Sequence, residues 1–203
     1  LDRMVTVPQS AAEVPKDSSL VPIYPGEKMT LRDLLYGLMI RSGNDAANAV
    51  AESVSGSVEK FVEEMNRKAQ ALGMNNTHFV NPHGYHDANH YTTARDLATL
   101  SRYAMTNNAV VRIAAATQYT LPATSRRPEL LLTSTTELLN PLHPLYYRGA
   151  YGIKSGFTRA AGFCYAGAAS KEGRTMIAVT LFCRTRNQAW RDMARLFNYG
   201  FSK

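Results

Sequence analysis

Arg41-Ser42-Gly43-Asn44-Asp45-Ala46-Ala47-Asn48 is the stretch on which the reading of this chain turns. Before it, Leu31, Leu34, Leu35, Leu38 and Met39 recur at helical spacing; after it, the apolar pattern resumes at once with alanines and runs to Val54. The octapeptide is therefore a break between two helices. A buried break leaves backbone donors and acceptors without intrahelical partners. Small polar residues placed there present a hydroxyl and a side-chain amide to a cleft. The same residues also make an ordinary loop, with Ser42 or Asn44 as a helix cap. The tripeptide alone does not separate the two readings.

Working outward, Pro8, Pro15, Pro22 and Pro25 mark extended chain and turns, with Met4-Val5-Thr6-Val7 as a short strand. Thr30 with Asp33 reads as a capping box that starts the first helix. Ser55-Gly56-Ser57 is a joint, and Val58, Phe61, Val62, Met65, Ala69 and Leu72 form the stripe of an amphipathic helix that stops at Gly73. A polar loop with a strand-like centre covers residues 77–84. Thr92 or Thr93 caps a helix over 94–105, and a shorter helix covers 109–116. From residue 118 the pattern changes. Residues 119–121 and 130–133 read as strands around a turn, and 149–154, 162–169 and 175–183 as three more, the last two joined by Lys171-Glu172-Gly173. A helix over 189–199 closes the chain. Helices dominate the first half and an antiparallel sheet the second, an α+β arrangement.

The 203 residues suffice for one sizeable domain. A net charge of +7 suits an anionic partner. The arginines are scattered, however, apart from Arg126-Arg127 and the group Arg184, Arg186 and Arg191, and no nucleic-acid motif accompanies them. This is a solvated basic surface, and no nucleic-acid partner is expected. No apolar run approaches the roughly 18 residues that span a bilayer, and no signal-peptide pattern is present. Folding the late hairpin about its turn sets Cys164 beside Thr180, three positions from Cys183. That odd offset turns the two thiols to opposite faces, so no disulfide is expected.

The second half holds one further short signal, Tyr151-Gly152-Ile153-Lys154-Ser155-Gly156-Phe157-Thr158. A strand that ends in a lysine, a hydroxyl and a glycine can hold a carboxylate. The ammonium supplies charge, the hydroxyl donates, and Gly156 lets a ligand approach the backbone. A solvated edge lysine before a turn has the same spelling.

Together, Ser42-Gly43-Asn44 and Lys154-Ser155-Gly156 resemble two of the three motifs of the penicillin-recognising serine enzymes. The resemblance is to the D-alanyl-D-alanine carboxypeptidases among the low-molecular-mass penicillin-binding proteins. It is carried also by Gly26-Glu27-Lys28-Met29-Thr30 with the helix after it, Phe79-Val80-Asn81-Pro82-His83-Gly84, Thr92-Thr93-Ala94-Arg95-Asp96-Leu97-Ala98 and Leu196-Phe197-Asn198-Tyr199-Gly200-Phe201. The resemblance implies the transpeptidase-like fold of penicillin-binding proteins and β-lactamases, an antiparallel sheet flanked by helices. It also implies a serine-type hydrolysis that trims the terminal D-alanine from peptidoglycan stem peptides through an acyl-enzyme, with β-lactams trapping the same serine. By position, Ser42 passes a proton to the leaving amine and Asn44 bonds the substrate peptide group. Lys154 biases the site electrostatically, and Ser155 and Thr158 grip the terminal carboxylate. Gly156 gives room, and the Phe157 N–H is an oxyanion donor. Ser42 and Lys154 are expected in one cleft. No metal or cofactor is implied, and the setting implied is extracytoplasmic, secreted and cell-envelope associated, in peptidoglycan synthesis and cell shape.

The sequence departs from the family pattern in three places. Serine stands at position 155 where threonine is commoner. Ala189 precedes Trp190 where some members carry arginine, so Arg186 or Arg191 takes that part. The nucleophile motif Ser-x-x-Lys does not precede Ser-Gly-Asn; it occurs once, at Ser57-Val58-Glu59-Lys60, where Ser57 reads as a helix cap and Lys60 as solvated. The expectation is a single catalytic domain over 1–203 that begins after its nucleophile helix and first strands, with no nucleophile in this chain. An N-terminal fragment or a second copy of the chain would then cover the faces left open. A non-catalytic wall-peptide-binding remnant is the competing reading. A penicillin-hydrolysing relative is a third, which Asn81-Pro82-His83-Gly84 disfavours.

Overall fold

In the computed structural model, which describes all residues Leu1–Lys203, Met4–Thr6 (β1) pairs antiparallel with Lys28–Thr30 (β2). The capping box forms as expected. Thr30 Oγ1 accepts the Asp33 N–H, the Asp33 carboxylate accepts the Thr30 N–H, and Leu31–Arg41 (α1) follows. Next come Asn44–Ser55 (α2) and Val58–Ala71 (α3). Ser57 Oγ accepts the Lys60 N–H at 3.2 Å, so this serine is a cap, and Lys60 is exposed. The α3 stripe is shallower than its periodicity suggests: only Ala69 is fully buried. Thr93 caps Ala94–Ala104 (α4) and Asn107 caps Asn108–Ala114 (α5). Five strands follow: Gln118–Leu121 (β3), Leu130–Thr133 (β4), Ala150–Thr158 (β5), Gly162–Lys171 (β6) and Arg174–Cys183 (β7). Thr185 then caps Arg186–Phe201 (α6). Strand β5 runs four residues past its expected end, because its pairing with β6 continues to Thr158 opposite Gly162.

The chain divides into two compact units. The first comprises Leu1–Lys68, Phe79–His90 and Gln118–Thr135. Here α1 packs on the β3–β4 hairpin. Tyr36 stacks on Tyr119 with centroids 3.8 Å apart, and Tyr119 Oη donates to Asp33 Oδ1 at 2.7 Å. Burial, with the Asp33 carboxylate beside it, pushes the Tyr119 phenol well above its ordinary range. The hairpin turn is anchored by a buried ion pair. Arg127 Nε lies 3.1 Å from Glu27 Oε1, and the two side chains are 6% and 0% exposed. Thr124 Oγ1 donates to Glu27 Oε1 at 2.5 Å, and the Tyr24 N–H to Oε2 at 2.9 Å. A carboxylate taken this far from water persists only because each oxygen is met.

The second unit comprises Ala69–His78, Tyr91–Thr117 and Thr136–Lys203. Its sheet has the order β5-β6-β7, all antiparallel, with α6 packed on β6 and β7. Leu138, Tyr165, Ala169, Trp190, Met193 and Phe197 form the core between sheet and helix. Tyr165 meets Trp190 edge-on, with centroids 4.6 Å apart. Its ring lies along β6 over Gly167, where a Cβ would stand 2.6 Å from Tyr165 Cε1; any side chain there would displace the ring. Helix α4 packs on β7 and β6, and Asp96 near its start accepts from the Asn76 N–H and Thr77 Oγ1.

The cysteine register differs from the sequence expectation. The β6–β7 turn is a two-residue turn, with Glu172 and Gly173 both at positive φ and Lys171 opposite Arg174. Tyr165, not Cys164, therefore stands opposite Thr180. A bulge between Phe163 and Tyr165, with Phe182 at φ 56°, then sets Cys183 opposite Phe163. Both thiols are free, as expected.

Replacing Glu27 by alanine is expected to lower stability by about 3–5 kcal/mol, because it strands a buried guanidinium. Arg67→Ala, which removes only exposed pairs with Glu63 and Glu64, is expected to change it by less than about 1 kcal/mol. Urea midpoints of the two variants measure the contrast; equal midpoints would refute the anchoring role.

Candidate functional site

The sequence proposes two groups of residues. The first is the helix break. α1 ends at Ser42, whose backbone is left-handed at φ 57°, ψ 38°, and the N–H groups of Ser42 and Gly43 both turn back to the Gly37 carbonyl. A non-glycine residue in that region costs about 1–2 kcal/mol, so the surroundings must hold it there. They do so through Asp45. Its carboxylate accepts from the Val21 N–H at 3.0 Å to each oxygen, from the Ile23 N–H at 3.4 Å and from the Ala46 N–H at 2.8 Å. The Asn44 N–H donates to the Ser19 carbonyl at 2.8 Å. Asp45 is 2% exposed. Burial pushes its carboxyl up, and the backbone bonds from Val21, Ala46 and Ile23 pull it back. Segment 19–23 is thus stapled over the break, so tightly that a Cβ on Gly43 would stand 2.2 Å from Val21 Cγ2 and 2.8 Å from Asp45 Oδ1.

The sequence does not announce this role for Asp45. The available signal was an acidic residue in a first helical turn; its partners more than twenty residues upstream left no trace in local pattern.

The second group lies on β5. A bulge between Gly152 and Lys154 resets the register, so that Lys154 faces Ala166, Ser155 faces Tyr165, Gly156 faces Cys164 and Phe157 faces Phe163. Lys154 Nζ donates to the Ser155 carbonyl at 2.7 Å, and burial pushes its ammonium down to about 8. Phe157 is 56% exposed, and its ring packs on Phe163 with centroids 4.4 Å apart. A Cβ on Gly156 would meet nothing within 4 Å, so no packing demand explains a glycine there. Strand alternation puts Ser155 and Thr158 on opposite faces, and Thr158 Oγ1 accepts the Ala161 N–H at 3.0 Å. The same alternation sets Thr158 on the face of Lys154 and Ser155 on the opposite one. Of the two arginines weighed for α6, Arg186 lies 6.0 Å from the Phe163 ring centroid, while Arg191 bonds back to the Asn187 carbonyl.

The loop at Asn81-Pro82-His83-Gly84 is closed on itself. Asn81 Oδ1 accepts the Gly84 N–H, Asn81 Nδ2 donates to the Tyr85 carbonyl, and the Tyr85 N–H donates to His83 Nδ1. Burial, with His90 nearby, pushes the His83 imidazole down to about 4.

Residues 1–185 match the family described as D-alanyl-D-alanine carboxypeptidase. A D-alanyl-D-alanine carboxypeptidase of Bacillus subtilis is 32% identical over 91% of this chain, and the chain spans 46% of that protein. One from Mycobacterium tuberculosis is 34% identical over 100% of the chain, which spans 68% of it, and one from Streptomyces is 33% identical, with 72% spanned. Among solved structures, a Streptomyces DD-transpeptidase aligns with a TM-score of 0.91 at 32% identity, covering 100% of this chain and 80% of its own. A carboxypeptidase structure from Mycobacterium tuberculosis aligns at 0.87, with 32% identity and coverage of 100% and 75%.

Gly43→Ala is expected to cost about 1–3 kcal/mol, because neither Val21 nor Asp45 can retreat without releasing the other. Gly156→Ala is expected to stay within about 0.5 kcal/mol of the parent. Thermal unfolding of both decides this, and a Gly43→Ala variant as stable as the parent would refute the stapled break.

Proposed function

Because this chain belongs to the D-alanyl-D-alanine carboxypeptidase family, we propose that it acts on the D-alanyl-D-alanine end of peptidoglycan stem peptides, by serine-type chemistry at the outer side of the cell envelope. β-Lactams are the inhibitors this reading implies. What supports the proposal is that the sequence carries both Ser42-Gly43-Asn44, held in a strained left-handed break, and Lys154-Ser155-Gly156, where a glycine stands without a packing reason. No helix is long and apolar enough to cross a membrane.

In the proposed reaction a serine oxygen attacks the carbonyl of the penultimate D-alanine. The C–N bond breaks, the terminal D-alanine leaves with a proton passed through Ser42, and water then hydrolyses the ester. Asn44 bonds the substrate peptide group. The Phe157 N–H, on the strand beside Gly156, is the proposed oxyanion donor. Ser155 donates to the terminal carboxylate and Lys154 supplies positive charge, with Arg186 as the second cation for that carboxylate. Thr158 grips the same carboxylate through its O–H, while its Oγ1 accepts the Ala161 N–H.

One observation favours a narrower reading of these 203 residues by themselves. Their single Ser-x-x-Lys serine is Ser57, whose hydroxyl is spent on the Lys60 N–H at the start of α3. We therefore propose that this chain alone binds the wall peptide and does not form the acyl-enzyme, the nucleophile being supplied by a polypeptide segment with its own Ser-x-x-Lys.

Incubation with a fluorescent penicillin is expected to leave the purified chain unlabelled by mass; a stoichiometric adduct on any residue would overturn the narrower reading, and one on Ser57 the cap assignment as well. Binding has its own test. Lys154 titrates near pH 8, below the ordinary lysine value, so the ammonium that attracts a carboxylate is lost as pH rises through that value. Affinity for an acyl-D-alanyl-D-alanine peptide is expected to fall roughly 5- to 20-fold between pH 7 and pH 9.5, on the scale of one charge-assisted hydrogen bond. Lys154→Met is expected to be weak and flat across that range. A parent profile equally flat would remove Lys154 from the carboxylate site.

A further inference from the structure

Strand β5 carries one residue more than β6 over the segment they share. Gly152 stands opposite Gly167 and Thr158 opposite Gly162, so seven residues of β5 span six of β6. The surplus is taken up between Gly152 and Lys154, where Ile153 and Lys154 stand against the single residue Ala166. This bulge decides which way the lysine faces. Residues directly opposite one another share a face of the sheet, and alternate residues of one strand return to it. Gly152, opposite Gly167, is therefore on the face of Tyr165, which is 2% exposed and meets Trp190 of α6. Lys154, opposite Ala166, is on the other face. In an unbroken ladder Gly152 and Lys154, two positions apart, would share the face of Tyr165. The ammonium would then enter the apolar core of Leu138, Trp190, Met193 and Phe197, which is costly for an unpaired charge.

Two anchors create the surplus. The far one is the β5–β6 turn, held by the bond from the Ala161 N–H to Thr158 Oγ1 and by Phe157 against Phe163. The near one is Tyr165. Its ring crosses β6 over Gly167, where a Cβ would stand 2.6 Å from Cε1, and its hydroxyl reaches β5, where a Cβ on Gly152 would stand 3.2 Å from Oη. The ring thus covers a cross-strand pair of glycines. Among residues 150–155 only Gly152 lacks a side chain, so a slip of one position either way would put Tyr151 or Ile153 under the ring.

We propose that Tyr165 is a positioning residue for Lys154: by admitting only Gly152 opposite Gly167, it forces the surplus residue of β5 out as the bulge that turns Lys154 away from the core. Tyr165 itself does not touch the substrate. The consequence for carboxylate binding rests on the reading of Lys154 as the cation of that site. The experiment reads Lys154 directly and needs no substrate, so failure of the positioning role and failure of that reading are distinguishable.

Lys154 is followed by NMR in the full chain, through its side-chain titration and through its cross-strand contacts with Ala166. In Gly152→Ala the new methyl meets the Tyr165 hydroxyl. The ring, packed on Gly167 and Trp190, cannot retreat, and β5, an edge strand, gives way. The contacts between Lys154 and Ala166 are expected to be lost, and the titration to move from about 8 toward the ordinary lysine value by about one unit or more. Tyr165→Phe keeps the ring and is expected to leave both readouts at the parent values. Combining Gly152→Ala with Tyr165→Phe removes the oxygen that the methyl meets. The other neighbours of that methyl, the Ala114 carbonyl at 3.4 Å and Leu139 Cδ1 at 3.5 Å, are ordinary contacts, so both readouts are expected to return to the parent values. Met193→Ala, which opens the same core from α6, is expected to lower the unfolding temperature and leave Lys154 unmoved. Unmoved readouts in Gly152→Ala, no rescue in the double variant, or an equal shift in Met193→Ala would each overturn the proposal. If Gly152→Ala alone does not fold, the double variant decides: folded with the parent readouts it supports the proposal, and unfolded it overturns it.

Discussion

The Asp45 carboxylate, bonded to the amides of Val21 and Ile23, is the constraint on which the arrangement around the helix break depends. Desolvating a carboxylate is costly unless its oxygens are filled. Here the donors come from an irregular segment that has no ladder of its own to satisfy them. Each side meets a need of the other: the segment gains acceptors for orphan amides, and the carboxylate gains donors. The consequence lies one residue away. With segment 19–23 held against the break, Gly43 is the only residue type that fits, and Ser42 is kept left-handed at the end of α1.

Glu27 repeats this logic with a charged partner. Its two oxygens collect Arg127, Thr124 and the Tyr24 amide, joining the β3–β4 turn to the turn before β2. A pair of this kind adds little net stability over an apolar alternative of the same shape, but it is intolerant of losing one member. Its effect is on geometry. It sets where the hairpin lies against α1, and the stacking of Tyr36 on Tyr119 then follows. In the second unit the organising contact is apolar. Tyr165 folded over Gly167 and packed on Trp190 fixes the spacing between sheet and α6, and β5 hangs from β6 through the same residues that stand opposite Ser155 and Phe157.

Burial also sets the electrostatics of the candidate residues. Lys154 is the one lysine whose ammonium is strongly depressed, and the cause is desolvation by burial. A lysine in that condition responds to the arrival of a ligand carboxylate more strongly than a solvated one, because a charge interaction is stronger where water is excluded. The contrast with the solvated lysine at position 60 shows why spelling alone is a poor guide. Ser57-x-x-Lys60 carries the residue types of a nucleophile motif, yet its serine is occupied as a cap and its lysine lies in water.

The sequence by itself determined the α+β order, the two helices on either side of Ser42-Gly43-Asn44, the capping box at Thr30 and the cap at Ser57, and the late strands, because each depends on periodicity or on residues within about four positions. It also determined the resemblance that the family match confirms. The tertiary structure alone decided the rest. The register opposite Cys164 turned on a two-residue turn and a bulge at Phe163, and one residue of slip exchanges the faces of a strand. That Thr158 closes a turn depended on how far β5 remains paired. The role of Asp45 rested on a backbone group brought from 24 positions away. Hydrogen-bond satisfaction of a buried polar atom is a property of what the folded chain places around it, and a linear pattern carries no record of such distant partners.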